Sequence, residues 1–269
     1  MLFAAPGEYK ACGIFTPNHF KLIIITILGI TIALKYTINK SKEEVYKIIK
    51  HTTIMLIFLE IIRIVFCLKY NDIKDVNTYL PLYYCSLLLY AGILSSFCRG
   101  KLKRMGDVFL ATGSIIGGVV FIIFPTTSLL SYPAMHFISI HSFLFHGIMV
   151  YLGILINKTK YINLQKQDII YFAVLVGVMC QIAYIINKTC NSNLMFISSN
   201  FPGTLIEIIY NLSGKLFTPI MCIAQMFLPF YIIYGLTILI NKREIKNKEN
   251  NTQPIIESEE KVVCYQFKK

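Results

Sequence analysis

Seven apolar stretches joined by short polar connections fill most of this chain and commit it to a membrane. Their cores lie at 20–36, 52–68, 79–97, 108–124, 134–156, 169–187 and 216–240. Each approaches or exceeds the roughly 20 residues that a helix needs to cross about 30 Å of hydrocarbon. A soluble helical domain can bury one such helix completely, but not seven. Composition agrees, with 55% hydrophobic and 15% charged residues, outside the ordinary range for a soluble domain. The expected fold class is all-α: a polytopic membrane bundle of seven transmembrane helices.

The basic residues orient that bundle. The net charge of +12 invites a nucleic-acid reading, but four short stretches hold most of the basic residues. They are Lys35, Lys40, Lys42, Lys47 and Lys50; Arg99, Lys101, Lys103 and Arg104; Lys158, Lys160 and Lys166; and Lys242, Arg243, Lys246 and Lys248. The opposite flanks hold only Lys10, Lys21, Lys69, Lys74, Lys188 and Lys215. This positive-inside pattern puts the N-terminus outside and the C-terminus in the cytoplasm. Anionic headgroups are sufficient partners for the inner basic belt, and no nucleic acid is expected. Residues 1–240 read as the membrane domain and 241–269 as a flexible cytoplasmic tail. The first span reads as an uncleaved insertion signal, because no basic n-region precedes it and no small-residue cleavage site follows it. Among the cysteines, Cys12 and Cys190 share the outer side; they read as a free pair, with a bridge as the alternative. The long connection 188–215 has two apolar pieces around Pro202-Gly203, which fits an interfacial loop or an outer cap over a pocket.

Several polar residues interrupt the spans. Glu60 and Arg63 stand three apart on one helix face, close enough for an ion pair. A central charge facing lipid costs roughly 3 kcal/mol, so both should face the interior. Either they form a structural pair, or Arg63 binds an anionic group while Glu60 orients it. The third span opens Tyr79-Leu80-Pro81-Leu82-Tyr83-Tyr84-Cys85-Ser86. Proline is tolerated in a first helical turn, and Tyr79, Tyr83 and Tyr84 suit an outer aromatic belt. Cys85 would then sit about 9 Å below Tyr79 and, read alone, is a small packing residue.

The fifth span carries His136, His141 and His146, five positions apart. Rotations of about 140° between them argue against a three-histidine metal site on this helix. His136 reads as a cap. His141 and His146 lie deeper, as neutral hydrogen-bonded imidazoles or as proton carriers. Gly113, Gly117, Gly118 and Gly147 favour close helix packing. The chain has no GxxxxGK, HExxH or GxSxG motif, and no metal or cofactor is expected.

Pro81-Leu82-Tyr83-Tyr84-Cys85-Ser86 and His146-Gly147, with Phe15-Thr16-Pro17-Asn18-His19 and Asn193-Leu194-Met195-Phe196, resemble the YwaF-like integral membrane family. That family includes the animal transmembrane acyltransferase of ether-phospholipid remodelling. Tyr83 and Tyr84 stand where members usually have a histidine before the leucine-cysteine pair, and Leu194 stands where a tyrosine is frequent. The resemblance implies that Cys85 is a nucleophile and His146 its basic partner. It implies phospholipid or lysophospholipid substrates, carried through a cysteine thioester by a lipid acyltransferase or transacylase. Arg63, Glu60, Tyr84 and Asn193 are the candidate substrate-binding residues. By depth along its helix, His141 matches Cys85 better than His146 does. The expectation is that helices two, three and five converge in the outer half of the membrane, with Cys85 facing His141 or His146. The alternative function is a small-solute transporter or non-catalytic lipid-binding protein lined by Glu60, Arg63, His141 and Asn187. A bacterial plasma membrane is the favoured location, a eukaryotic endomembrane the second.

Overall fold

In the computed structural model, residues 1–266 are described, with side chains through Arg243 except Leu205. The chain is an all-α bundle. In order, its helices are α1 (Pro17–Thr37), α2 (Lys42–Tyr70), α3 (Val76–Tyr79), α4 (Leu87–Phe97), α5 (Gly100–Ala111), α6 (Gly113–Ile123), α7 (Thr126–Leu129), α8 (Phe137–Lys158), α9 (Ile169–Cys190), α10 (Leu205–Ser213) and α11 (Phe217–Gln266). Among the described residues, six helical stretches are long and apolar enough to cross a membrane, while α4 is a shorter apolar helix. The tail expected at 241–269 lies, beyond Arg243, outside the described side chains.

Local chemistry starts the first two helices. Thr16 accepts from the His19 amide ahead of Pro17 in α1, and Ser41 and Glu44 form a capping box on α2. Val45, Ile49, Thr53, Leu56 and Glu60 make one buried stripe down α2, at the spacing of a single helix face. The opposite face exposes Ile54, Phe58, Ile61 and Val65, as a lipid-facing helix should.

Two expected helices are broken. Residues 79–97 were expected as one helix with Pro81 in its first turn, but helix begins only at Leu87. Leu80 is extended (φ −73°, ψ 120°), the conformation that a following proline enforces. The segment nevertheless runs antiparallel to α2. Arg63 Nη2 donates to Tyr79 O at one end (3.0 Å), and Tyr46 OH donates to Ser96 O at the other (2.8 Å).

The fourth apolar stretch is kinked at Thr112 (φ −126°, ψ −74°), between α5 and α6. The Ile115 amide turns to Thr112 O, so Ala111 O lacks its helical donor; Asn157 Nδ2 of α8 supplies one at 2.6 Å.

Glycines set the closest helix approaches. A Cβ on Gly118 would lie 2.7 Å from His146 O, so α6 and α8 meet backbone to side. One on Gly106 would collide with Ala91 O and lie 2.6 Å from Ser95 N, both backbone atoms of α4. Gly106→Ala must therefore push α4 and α5 apart, at an expected cost of about 1–3 kcal/mol. Gly29 has nothing within 4 Å of that position, so Gly29→Ala should melt at or above the wild-type temperature. Thermal melting of both variants in detergent checks the contrast.

Polar pairs pin the end of the bundle that carries most basic residues. Lys103 bridges Asp107 and Tyr161, and Arg104 holds Asp168 and the Asn163 carbonyl. Burial pushes the Tyr161 phenol above its ordinary pKa, so it stays protonated while accepting from Lys103. At the other end, residues 1–13 lie over the start of α8. The Phe137 amide donates to Leu2 O (2.8 Å) and the Gly13 amide to Leu129 O (2.8 Å).

Candidate functional site

The Glu60–Arg63 pair is buried and complete. Arg63 Nε and Nη2 both donate to Glu60 Oε1, at 2.9 and 2.7 Å. Nη2 also donates to Tyr79 O (3.0 Å), and Nη1 to Thr78 O (2.9 Å) and Cys67 Sγ (3.7 Å). A guanidinium has five N–H groups, and five contacts occupy them. Arg63 thus fastens the carbonyl end of the short helix α3 to α2. In this state it has no free donor for the anionic group that the sequence reading offered it.

His141 enters from α8. Its Nε2 stands 3.6 Å from Glu60 Oε2, the carboxylate oxygen that Arg63 leaves free, and it makes no hydrogen bond among the described residues. Helices α2 and α8 therefore meet at Glu60, and Arg63 ties the end of α3 to the same pair. His146, five residues further on, faces elsewhere. It stacks on Phe121 of α6 with centroids 3.6 Å apart, and its Nδ1 donates to Ser142 O at 2.7 Å. That bond fixes the tautomer and leaves Nε2 an open acceptor, buried without a partner among the described residues. His136 caps α8 as expected: its Nδ1 accepts from the Ile138 amide at 3.1 Å.

Cys85 lies at the end of the non-helical stretch, immediately before α4. Its thiol is partly buried and forms no disulfide among the described residues. No hydrogen bond joins it to His141 or His146 among the described residues. Tyr84 departs from the aromatic belt. Its ring packs beside Phe109 and against Gly113 and Gly117, with a buried hydroxyl that lacks a hydrogen-bond partner among the described residues. The irregular backbone turns this side chain into the bundle, where a continuous helix was expected to leave it at the interface.

The connection after α9 dips into the protein. Leu194, Met195 and Ile197 are fully buried, and Met195 and Phe196 adopt positive φ (58° and 53°). Asn187 holds this turn from below through Leu194 O (3.0 Å), Ser198 Oγ (2.8 Å), Ser192 Oγ (2.7 Å) and the Leu194 amide (2.8 Å). Asn193 accepts the Ser198 and Ser199 amides, while its own amide donates to Asn77 Oδ1 at 2.8 Å. Phe196 packs on Tyr83 at 5.0 Å. Asn193 thus organises the turn and ties it to α3, and Asn187 is fully engaged within the same turn.

Sequence reasoning passed over three structural participants. Buried His19 receives the Phe15 amide on Nδ1 and donates from Nε2 to Ile122 O (3.0 Å), joining α1 to α6. The Thr16-Pro17-Asn18-His19 motif signalled it. Nothing local marked Asn77 or Gln225, whose partners at Asn193 and Met195 are remote in sequence. No group of three potential metal ligands occurs among the described residues.

A family model described as the TMEM164 family matches residues 14–240, which include every candidate site residue. No curated protein and no solved structure matches the chain.

Proposed function

The chain belongs to the TMEM164 family, and from that premise we propose that it is a membrane-embedded lipid acyltransferase or transacylase with Cys85 as nucleophile. The observation that carries this reading is the interruption of an apolar segment at residues 80–86, which holds Cys85 and follows the Thr78 and Tyr79 carbonyls that the buried Arg63 binds. At membrane depth, irregular backbone persists only where protein buries it or where it lines a water-filled cavity. The acyltransferase within the YwaF-like resemblance supplies the chemistry. A thiolate attacks an acyl ester, holds the acyl group as a thioester and yields it to a lysophospholipid hydroxyl. An imidazole, His141 or His146, takes the thiol proton and returns it to the departing lysolipid. Phospholipids are the donors and lysophospholipids the acceptors.

The proposed topology has seven crossings, with the N-terminus outside and the C-terminus cytoplasmic. The segment 79–96 contributes the seventh crossing: its two bonds to α2 lie 17 residues apart on that helix, about 26 Å of rise. The basic belt then faces the cytoplasm, here assigned to a bacterial plasma membrane. Cys190 is exposed at the opposite end, so an impermeant maleimide should label it in intact cells. Labelling only after permeabilisation would reverse the orientation.

The functional test is acyl exchange by the purified protein in nanodiscs containing labelled phospholipid and unlabelled lysolipid. Label should move to the lysolipid at a rate proportional to protein. Solute flux across proteoliposomes without any exchange would instead favour the transporter reading.

A further inference from the structure

We infer that Glu60 is the positioning residue that makes His141, rather than His146, the base serving Cys85; this rests on the acyl-transfer reading above. The two imidazoles differ in what their open nitrogens meet. His146 Nε2 is buried with no partner among the described residues, and its ring lies flat on Phe121. A proton there would create a buried charge without a compensating carboxylate. His141 Nε2 instead faces Glu60 Oε2 at 3.6 Å. Arg63 occupies the other oxygen, Oε1, with two hydrogen bonds, which fixes the carboxylate and leaves Oε2 directed at the ring.

The step balances in atoms and charge. The Cys85 S–H bond breaks and an N–H bond forms at His141 Nδ1, while Nε2–H turns to Glu60 Oε2. The thiolate attacks the donor's acyl carbon, and the departing lysolipid oxygen takes the proton back from Nδ1. Arg63 and Glu60 already neutralise each other, so proton transfer adds one thiolate and one imidazolium and no net charge. A fixed carboxylate behind an imidazole favours that imidazolium and holds the ring in one tautomer, the logic of an acid–histidine–nucleophile relay. The charged groups that face His141 are Glu60 and, paired to it, Arg63, both of α2.

The test is titration of the His141 imidazole by NMR. It uses the full chain with isotope-labelled histidine in nanodiscs, the signal being assigned by its loss in His141→Gln. In Glu60→Gln the midpoint should fall by about one pH unit or more, since a neighbouring opposite charge holds the protonated form. An unchanged midpoint would overturn the inference. If Glu60→Gln does not fold, Glu60→Asp keeps the charge but withdraws it by one methylene, and its midpoint should lie below wild type. Equality with wild type would again overturn it. The readout needs no turnover, so loss of the acyl-transfer reading would show separately as absence of exchange with the midpoint shift intact.

Discussion

Replacing Cys85 by alanine is expected to slow acyl exchange by about 10³-fold or more, the scale on which removal of a catalytic nucleophile acts. The same change should leave the bundle standing. Cys85 is only partly buried and its sulfur makes no side-chain hydrogen bond among the described residues, so truncation removes one atom's packing, about 1 kcal/mol. Activity and stability therefore separate, which distinguishes a reacting thiol from a packing one. Cys190→Ala is the matched control, a thiol exposed at the far end of α9. It should exchange at close to the wild-type rate. Time courses of label transfer for the three proteins, alongside their melting curves, provide the comparison. Undiminished exchange by Cys85→Ala would exclude this nucleophile.

Arg63→Ala should produce the largest loss of stability. It strips Glu60 Oε1 of both its donors and leaves the Thr78 and Tyr79 carbonyls without Arg63. Removing one partner of a buried ion pair costs about 3–5 kcal/mol, because the remaining charge stays buried without compensation. The consequence is also local. Without Arg63, α3 loses its tie to α2, and the segment carrying Cys85 loses its upper fixing point. Arg63→Lys should be intermediate, since an ammonium offers three donors against five. Melting in detergent should rank wild type above Arg63→Lys above Arg63→Ala. An Arg63→Ala protein as stable as wild type would show that the pair is dispensable to the fold.

The apolar segments were legible because hydrocarbon leaves a chain few alternatives, and the Glu60–Arg63 pair was legible from spacing within one helix. What lay beyond local pattern was misread. Pro81 is compatible with either a first helical turn or an extended break. The outcome here includes Arg63 holding the Thr78 and Tyr79 carbonyls from fifteen and sixteen residues away. The kink at Thr112 was equally hidden, since the side chain that satisfies Ala111 O is Asn157 on another helix. Tyr84 followed the same error inward. The three histidines show the limit most clearly: rotation along one helix separated them correctly, but not the partner that each would meet. His141 meets Glu60 and His146 meets Phe121 through the relative placement of α2, α6 and α8. The positive φ values at Met195 and Phe196 had no glycine to announce them.

The most direct test of the account is to search for the acyl-enzyme itself. Purified protein is incubated with a phospholipid donor and no acceptor, then quenched in acid and measured by intact mass and peptide mapping. The account predicts one added acyl chain on Cys85, released by neutral hydroxylamine and absent from Cys85→Ala. Exchange that proceeds with no adduct, or with the acyl chain on another residue, would contradict it.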